Sequence, residues 1–125
     1  PDPRSNISAK WDGANSRWLV LHESGSTQVR ILVQGGNMAT LDTLSNSATN
    51  FAYYDDTGTE HIYYCNNSTG ILHDKIIGGS DTALTWPIST MNCRGHGIHY
   101  DSGSDKLVFI FEQNGMQGVA EYLNP

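Results

Sequence analysis

The sequence predicts an all-β protein built from short antiparallel strands. Its 125 residues contain no stretch of about ten or more with an apolar stripe of helical period, and alternation with a period of two dominates instead. Charged residues make up only 16% of the chain, below the roughly 25% typical of soluble domains, and 13 residues are Gly. This composition favours tight turns over a helical bundle. We therefore expect a single all-β domain of repeated meanders, propeller-like, with a β-sandwich or barrel as the alternative.

Ten strands follow from the short apolar and alternating runs. In chain order they cover residues 17–22, 28–34, 38–44, 50–54, 60–65, 70–77, 83–88, 97–100, 106–112 and 117–123. Turn residues separate these runs at 23–26, 35–37, 55–58, 66–70, 78–81, 101–105 and 114–115. Gly adopts positive φ at no steric cost and Asn or Asp tolerates it, so these segments predict hairpin turns.

An internal repeat organises the predicted strands. Three copies cover about 17–44, 50–88 and 97–123, each with an apolar strand, an acidic Gly/Ser/Thr turn, a longer strand, a second turn and a third strand ending near an acidic residue. One meander cannot bury its apolar face alone, so we expect the copies to stack or to close a ring. The alternative is the strand–turn–strand similarity that any all-β chain shows.

Charge and hydropathy exclude some partners. The formal net charge is -6, so we expect no binding of nucleic acid or anionic membrane through bulk electrostatics. The longest apolar runs, such as 107–111, are far too short to span a bilayer, and we expect no membrane insertion.

Cysteines and sequons favour a secreted glycoprotein. Cys65 and Cys93 could form a disulfide worth about 3 kcal/mol in an oxidising compartment, or could be two unrelated buried thiols. Acceptor triplets for N-glycosylation begin at Asn6, Asn66 and Asn67.

Several segments carry short motifs that recur along the chain. The strand Thr27-Gln-Val-Arg-Ile-Leu-Val-Gln34 carries a central Arg, Glu60-His-Ile-Tyr-Tyr-Cys65 carries a Tyr-Tyr pair, and Gly70-Ile-Leu-His-Asp74 pairs Gly-Ile with an acidic residue. Trp86 follows a Gly-Gly turn. The chain in these respects resembles the fungal fucose-binding lectins of the Aleuria aurantia type. The resemblance implies β-propeller blades and binding of fucose or related sugars, and it spans about residues 17–123.

The resemblance also implies the site residues. The sugar-binding Arg falls on Arg30, His61 and Phe109 in the three copies, and the acidic partner falls on Asp42, then His73 or its neighbour Asp74, then Glu121. The copies are unevenly spaced, because Arg30 and His61 lie 31 residues apart whereas His61 and Phe109 lie 48 apart.

Ring closure can involve both chain ends. The segment 8–11 resembles the fourth, Trp-bearing strand that the third copy lacks. With three copies per chain, closure could require two chains in a six-bladed ring, which makes the protein a homo-oligomer.

The sequence therefore predicts a secreted, multivalent lectin that is not an enzyme and that binds glycans or glycoproteins. Arg30, with Asp42 or Glu121, would bind hydroxyls, and Tyr64 or Trp86 would supply an exposed ring against the sugar. His96 and His99 have a short metal-ligand spacing, but on a strand they point to opposite faces, which disfavours a shared metal ion. The sequence has no Cys-x-x-Cys, His-Glu-x-x-His, Gly-x-Ser-x-Gly, P-loop or dinucleotide motif, so we expect no metal and no cofactor. The alternative is a secreted β-domain that binds another protein as an effector or inhibitor.

Overall fold

In the residues that the structure describes, eleven antiparallel strands form three meanders, which confirms the all-β prediction. The structure is a computed structural model and describes residues 8–23, 27–32, 38–84, 92–94 and 97–123. The first sheet contains β1 (Ser8–Asp12), β2 (Arg17–Glu23), β3 (Thr27–Leu32) and β4 (Met38–Leu44). The second contains β5 (Phe51–Asp56), β6 (Thr59–Cys65), β7 (Leu72–Ile76) and β8 (Asp81–Ala83). The third contains β9 (Ile98–Asp101), β10 (Lys106–Gln113) and β11 (Met116–Leu123).

The second sheet lies between the other two. On one side, Leu19 and Leu21 of the first sheet pack against Phe51, Ile62 and Tyr64 of the second. On its other side, a second cluster joins the second and third sheets; its members include Ala52, Tyr63, Leu72, Ile98, Leu107 and Phe109. The first strands are neighbours, because β1 contacts β5 and β5 contacts β9. The three sheets therefore stack in chain order through successive faces.

The first sheet begins one strand earlier than the repeat in the sequence indicates. The segment expected to complete the third meander is instead β1, which pairs with β2. Two cross-strand contacts hold this hairpin: the rings of Trp11 and Trp18 are 5.3 Å apart between centroids, and Arg17 Nε lies 2.8 Å from Asp12 Oδ2. The first strands of the three sheets begin at residues 8, 51 and 98, so the spacings are 43 and 47 residues. The uneven spacing of 31 and 48 residues came from comparing different strands.

The same turn chemistry joins the first two strands of every sheet. The Oδ1 atoms of Asp12, Asp55 and Asp101 accept hydrogen bonds from the backbone N–H groups of Asn15 (3.4 Å), Gly58 (2.8 Å) and Gly103 (3.2 Å), respectively. An Asp side chain that binds the backbone two or three residues ahead stabilises a turn locally. This recurrent Asp is a marker of the repeat within the sequence.

The structure contains the disulfide between Cys65 and Cys93. Their Cα atoms are 5.8 Å apart, and Cys93 also donates its backbone N–H to the carbonyl of Gly70 at 3.0 Å. Cys65 ends β6, and Cys93 precedes the third sheet. The bridge therefore ties the second sheet to the segment that leads into the third.

Candidate functional site

A polar cluster lies where the first sheet meets the second, and we call it the first seam: Asp12, Arg17, Tyr53 and Glu60. Arg17 donates from Nε to Asp12 Oδ2 at 2.8 Å and from Nη2 to Glu60 Oε1 at 3.0 Å. Tyr53 donates its hydroxyl to the same Glu60 oxygen at 2.6 Å. The Arg17 guanidinium carbon lies 5.9 Å from the centre of the Tyr53 ring. One cation, two carboxylates and one aromatic ring thus converge from two sheets.

The β1–β2 hairpin positions the charged half of the first seam. Asp12 ends β1 and Arg17 begins β2, so the two form a cross-strand pair across the turn. Burial alone would raise the pKa of Asp12, but hydrogen bonds from Asn15 and Arg17 outweigh burial, and that pKa lies below its usual value. Asp12 is therefore held as a carboxylate.

The phenol of Tyr53 is held in its neutral form. Burial raises the pKa of Tyr53, and the hydrogen bond to the Glu60 carboxylate raises it further. The hydroxyl thus stays a donor to Glu60 at neutral pH, and the ring keeps a fixed position beside Arg17.

A related cluster lies where the second sheet meets the third, and we call it the second seam: Tyr54, His61, Asp74 and Tyr100. His61 Nδ1 and Asp74 Oδ1 are 2.8 Å apart, within hydrogen-bond distance. Tyr54 stacks on His61 with 5.7 Å between ring centroids and on Tyr100 with 4.4 Å. Tyr100 donates its hydroxyl to Asp105 at 2.8 Å. The second seam thus combines an imidazole, a carboxylate and stacked aromatic rings.

The two seams occupy equivalent places in the repeat. Leu19 and Leu21, which alternate with Trp18, face the second sheet, and Arg17 lies on the same face. His61 and Tyr63 share the face of the second sheet that packs against the third. Arg17 and His61 therefore both stand near the start of the second strand of their sheet and face the sheet that follows.

Tyr64 and His73 belong to a buried network instead of an exposed site. Tyr64 has 0% of its surface exposed, donates its hydroxyl to Asp81 and accepts from Asn46 Nδ2 at 2.9 Å. His73 Nδ1 lies 2.7 Å from Asp81 Oδ1, and the two rings stack with centroids 5.1 Å apart. The prediction that Tyr64 offers an exposed stacking face is wrong, because sheets cover both faces of the second sheet.

Arg30 and Asp42 do not come together. Arg30 lies on β3 opposite Val20 and Thr40, on the face of the first sheet that points away from the second. Asp42 pairs with Val29, on the opposite face, and its Oδ2 lies 3.0 Å from Lys75 Nζ of the second sheet. A β-bulge between Val29 and Arg30 accompanies this divergence. The prediction that Arg30 and Asp42 form one hydroxyl-binding pair is therefore wrong.

The remaining predicted residues are placed only in part. Arg30 and Phe109 are not equivalents of His61, because Arg30 lies on a third strand and Phe109 lies in the core between the second and third sheets. Glu121 lies on β11 opposite Val108, and its side chain is outside the described residues, as is Trp86 entirely.

The residues of the first seam were not among those predicted from the sequence. One signal was available: Trp11-Asp12 and Arg17-Trp18 flank a four-residue turn as mirror images, which is the pattern of a hairpin with a cross-strand ion pair. Tyr53 and Glu60 of the same seam lie on the second sheet, and they could not be predicted because the sequence does not show which sheet faces contact each other.

Comparisons with known proteins add no information about the two seams. No protein-family model, curated protein or solved structure matches the chain. In the part of the chain that the structure describes, no membrane-spanning helix can be identified, and no group of three or more His, Cys, Asp or Glu side chains is arranged to hold a metal ion.

Proposed function

We propose that this protein is a lectin that binds glycans without converting them, in the seams between successive sheets. The observation that carries the proposal is the recurrence of one combination of groups: a nitrogen-bearing side chain near the start of a second strand, a carboxylate beside it, and a tyrosine ring against it, which is Tyr53 of the following sheet at Arg17 and Tyr54 of the same sheet at His61. Two seams of the same kind in one chain favour a repeated binding function over a single structural ion pair.

The chemistry of the first seam suits a sugar. A saccharide presents hydroxyls that both donate and accept, together with a face of C–H groups that packs against aromatic rings. Arg17 supplies guanidinium donors, Asp12 and Glu60 supply acceptors, and Tyr53 supplies a ring within the same cluster. The second seam offers weaker donors through His61, so we expect the first seam to bind more tightly.

The state of the carboxylates supports binding without catalysis. Glycoside hydrolysis needs one carboxylic acid that is protonated near neutral pH, beside a second carboxylate. The pKa of Asp12 lies below its usual value, and Glu60 accepts hydrogen bonds from both Arg17 and Tyr53. The Asp12 carboxylate is therefore an acceptor that can hold a hydroxyl, and not a proton donor.

Secretion is part of the proposal. The Cys65–Cys93 disulfide is typical of an oxidising compartment. Of the two overlapping sequons, Asn66 is buried and its side chain accepts the Ser68 N–H at 2.9 Å, whereas Asn67 is half-buried beside exposed Ser68 and Thr69. Asn67 is therefore the better candidate for a glycan attached to the protein itself.

A second candidate function is binding of another protein through a sheet surface. Ile110 and Val119 form an exposed apolar cross-strand pair on the third sheet. Exposed apolar groups on a sheet face are typical of interaction surfaces. This candidate predicts a partner protein and no selective glycan binding.

A glycan array with matched variants tests the lectin proposal. Arg17→Gln removes the charge from the first seam, His61→Gln alters the second, and Arg94→Gln is the control because Arg94 is exposed and outside both seams. We expect selective glycan binding that weakens about tenfold or more in Arg17→Gln, the loss of one charge-assisted hydrogen bond, and that is unchanged in Arg94→Gln.

Circular dichroism of each variant separates lost binding from lost folding. A blank array with folded wild-type protein would refute the proposal. Full binding by the folded Arg17→Gln and His61→Gln double variant would place the sugar outside the seams.

A further inference from the structure

In both seams the carboxylate is more exposed than its nitrogen-bearing partner. In the first seam, the side chain of Glu60 is 29% exposed and that of Arg17 is 19% exposed. In the second seam, the side chain of Asp74 is 22% exposed and that of His61 is 12% exposed. The ion-pair partner that each seam presents more openly to solvent is therefore a negatively charged acceptor.

Glu60 keeps acceptor capacity for a ligand. Arg17 Nη2 and the Tyr53 hydroxyl both donate to Oε1, at 3.0 Å and 2.6 Å. A carboxylate has two oxygens with about four lone-pair positions, and Oε2 accepts neither of these two bonds. A ligand that donates hydrogen bonds can therefore bind Glu60 without displacing Arg17 or Tyr53.

The guanidinium of Arg17 is already shared between two carboxylates. Nε donates to Asp12 at 2.8 Å and Nη2 donates to Glu60 at 3.0 Å. Arg binds an acidic ligand best when the ligand's carboxylate or sulfate accepts two parallel N–H bonds. In the first seam such a ligand would compete with Asp12 and Glu60 for these nitrogens. One guanidinium against two carboxylates also leaves the seam with a net negative charge, which repels an acidic ligand.

The second seam is negative in either state of its imidazole. Asp74 lies 2.8 Å from His61 Nδ1, and at the border of the seam Asp105 accepts the Tyr100 hydroxyl at 2.8 Å. These two carboxylates outweigh the single charge that His61 carries when it is protonated. The second seam thus has the same sign of charge as the first.

The phenol of Tyr54 reports the negative potential of the second seam. Burial raises the pKa of Tyr54, and the negative charges of three carboxylates raise it further, those of Asp56, Asp105 and Asp55. Neighbouring carboxylates that disfavour a phenolate at this position also favour a cation. A positively charged group bound beside Tyr54 is therefore stabilised by the same charges.

Given that the seams bind glycans, as proposed above, we propose that they select sugars that carry a protonated amine and discriminate against sugars that carry a carboxylate or a sulfate. The ammonium of a hexosamine donates charge-assisted hydrogen bonds to Glu60 or Asp74, whereas hydroxyls donate weaker, neutral ones. N-acetylation removes that charge and leaves a neutral amide. An acidic sugar places a further negative charge beside the carboxylates of either seam.

A glycan array that carries matched pairs tests this preference. The first pair is an oligosaccharide of glucosamine and its N-acetylated counterpart, and the second is a galactose-terminated glycan with and without sialic acid. At about pH 6, where the amines are protonated, we expect the free-amine sugar to bind about fivefold or more tightly than its N-acetylated counterpart. We expect the sialylated glycan to bind more weakly than the glycan without sialic acid.

Three variants locate the preference in the seams. Glu60→Gln and Asp74→Asn each remove one carboxylate charge and keep an acceptor oxygen, so their double variant should lose the preference for the amine. Glu112→Gln is the matched control, because it removes the same charge from an exposed residue outside both seams, and it should keep the preference. Circular dichroism verifies that each variant is folded, and the wild-type comparison remains decisive where a variant is not.

The outcomes separate this preference from the lectin proposal. Free-amine sugars that bind no more tightly than their N-acetylated counterparts, or sialylated glycans that bind as well as their partners, would overturn the preference and leave the lectin proposal standing. A folded double variant that keeps the preference, or a control that loses it, would also overturn the assignment to the seams. A blank array would refute the lectin proposal itself.

Discussion

Removal of the Cys65–Cys93 disulfide should destabilise the protein by about 3.5 kcal/mol. The two cysteines are separated by 28 positions along the chain. In the chain-entropy description, a cross-link over a loop of this length removes about 12 cal/mol/K of entropy from the unfolded ensemble, which is about 3.5 kcal/mol at 25 °C. The bridge ties the second sheet to the segment before the third, so its loss frees a loop in the middle of the fold.

The expected change in melting temperature follows from the chain length. Unfolding of a globular protein gains about 2.1 cal/mol/K of entropy per residue, which for 125 residues is about 0.26 kcal/mol/K. A loss of about 3.5 kcal/mol therefore corresponds to a decrease of about 13 °C in Tm.

Thermal unfolding followed by circular dichroism measures the decrease in two ways. The first compares oxidised with reduced wild-type protein, which keeps both sulfur atoms in the core. The second compares wild type with the Cys65→Ala, Cys93→Ala double variant, which removes them. A thiol assay before and after each scan verifies the redox state. A decrease of less than about 4 °C, or about 1 kcal/mol, in fully reduced protein would refute the loop argument.

Three further predictions concern the buried polar groups. Tyr64→Phe should cost about 1–3 kcal/mol in urea unfolding, because Asp81 and Asn46 lose a buried partner, and a neutral result would contradict the network. The pKa of Asp12 is lowered in the folded protein, so its carboxylate stabilises the fold above the unfolded pKa of about 3.9, and this stabilisation is lost as pH falls through the folded pKa. Asp12→Asn should therefore lower the free energy of unfolding at pH 7 and change it little at strongly acidic pH. Equal losses at both pH values would contradict this. Burial and a hydrogen bond to a carboxylate raise the pKa of both Tyr53 and Tyr100. The neutral phenols therefore stabilise the fold fully below about pH 10, and this stabilisation is lost at higher pH. An absorbance titration of folded protein in which all tyrosines ionise together near pH 10 would refute this.

Strands and turns could be predicted because both are local in sequence. The strand predicted over 38–44 coincides with β4, and the run 106–112 lies within β10. Alternation of apolar and polar residues indicates a strand whichever strand it pairs with, and Gly, Asn and Asp indicate turns through their own φ preferences. The prediction of three meanders rests on these local signals.

The faces of the sheets could not be predicted, because they depend on which sheet covers which. Tyr63 and Tyr64 alternate, so with one covered face one ring would be exposed; two covering sheets bury both. Arg30 illustrates a second limit. Its strand matches a lectin motif locally, but the earlier start of the first sheet at Ser8 shifts it from a second strand to a third. A repeat can thus be aligned one strand out of phase when each strand resembles the next.

The uniform meander topology also has a consequence for how the chain folds. Each of the eleven described strands pairs only with strands adjacent to it in sequence. The loops that close when these pairs form are therefore short and their entropy cost is small, unlike the distant pairings that slow the folding of β-sandwiches. Contacts between sheets likewise join successive repeats, as in a linear array. Because the second sheet is packed on both faces, we expect it to open last and the sheets on either side to open separately. We therefore expect the stability of the molecule to be the sum of coupled neighbouring sheets, with the second sheet as the most stable of the three.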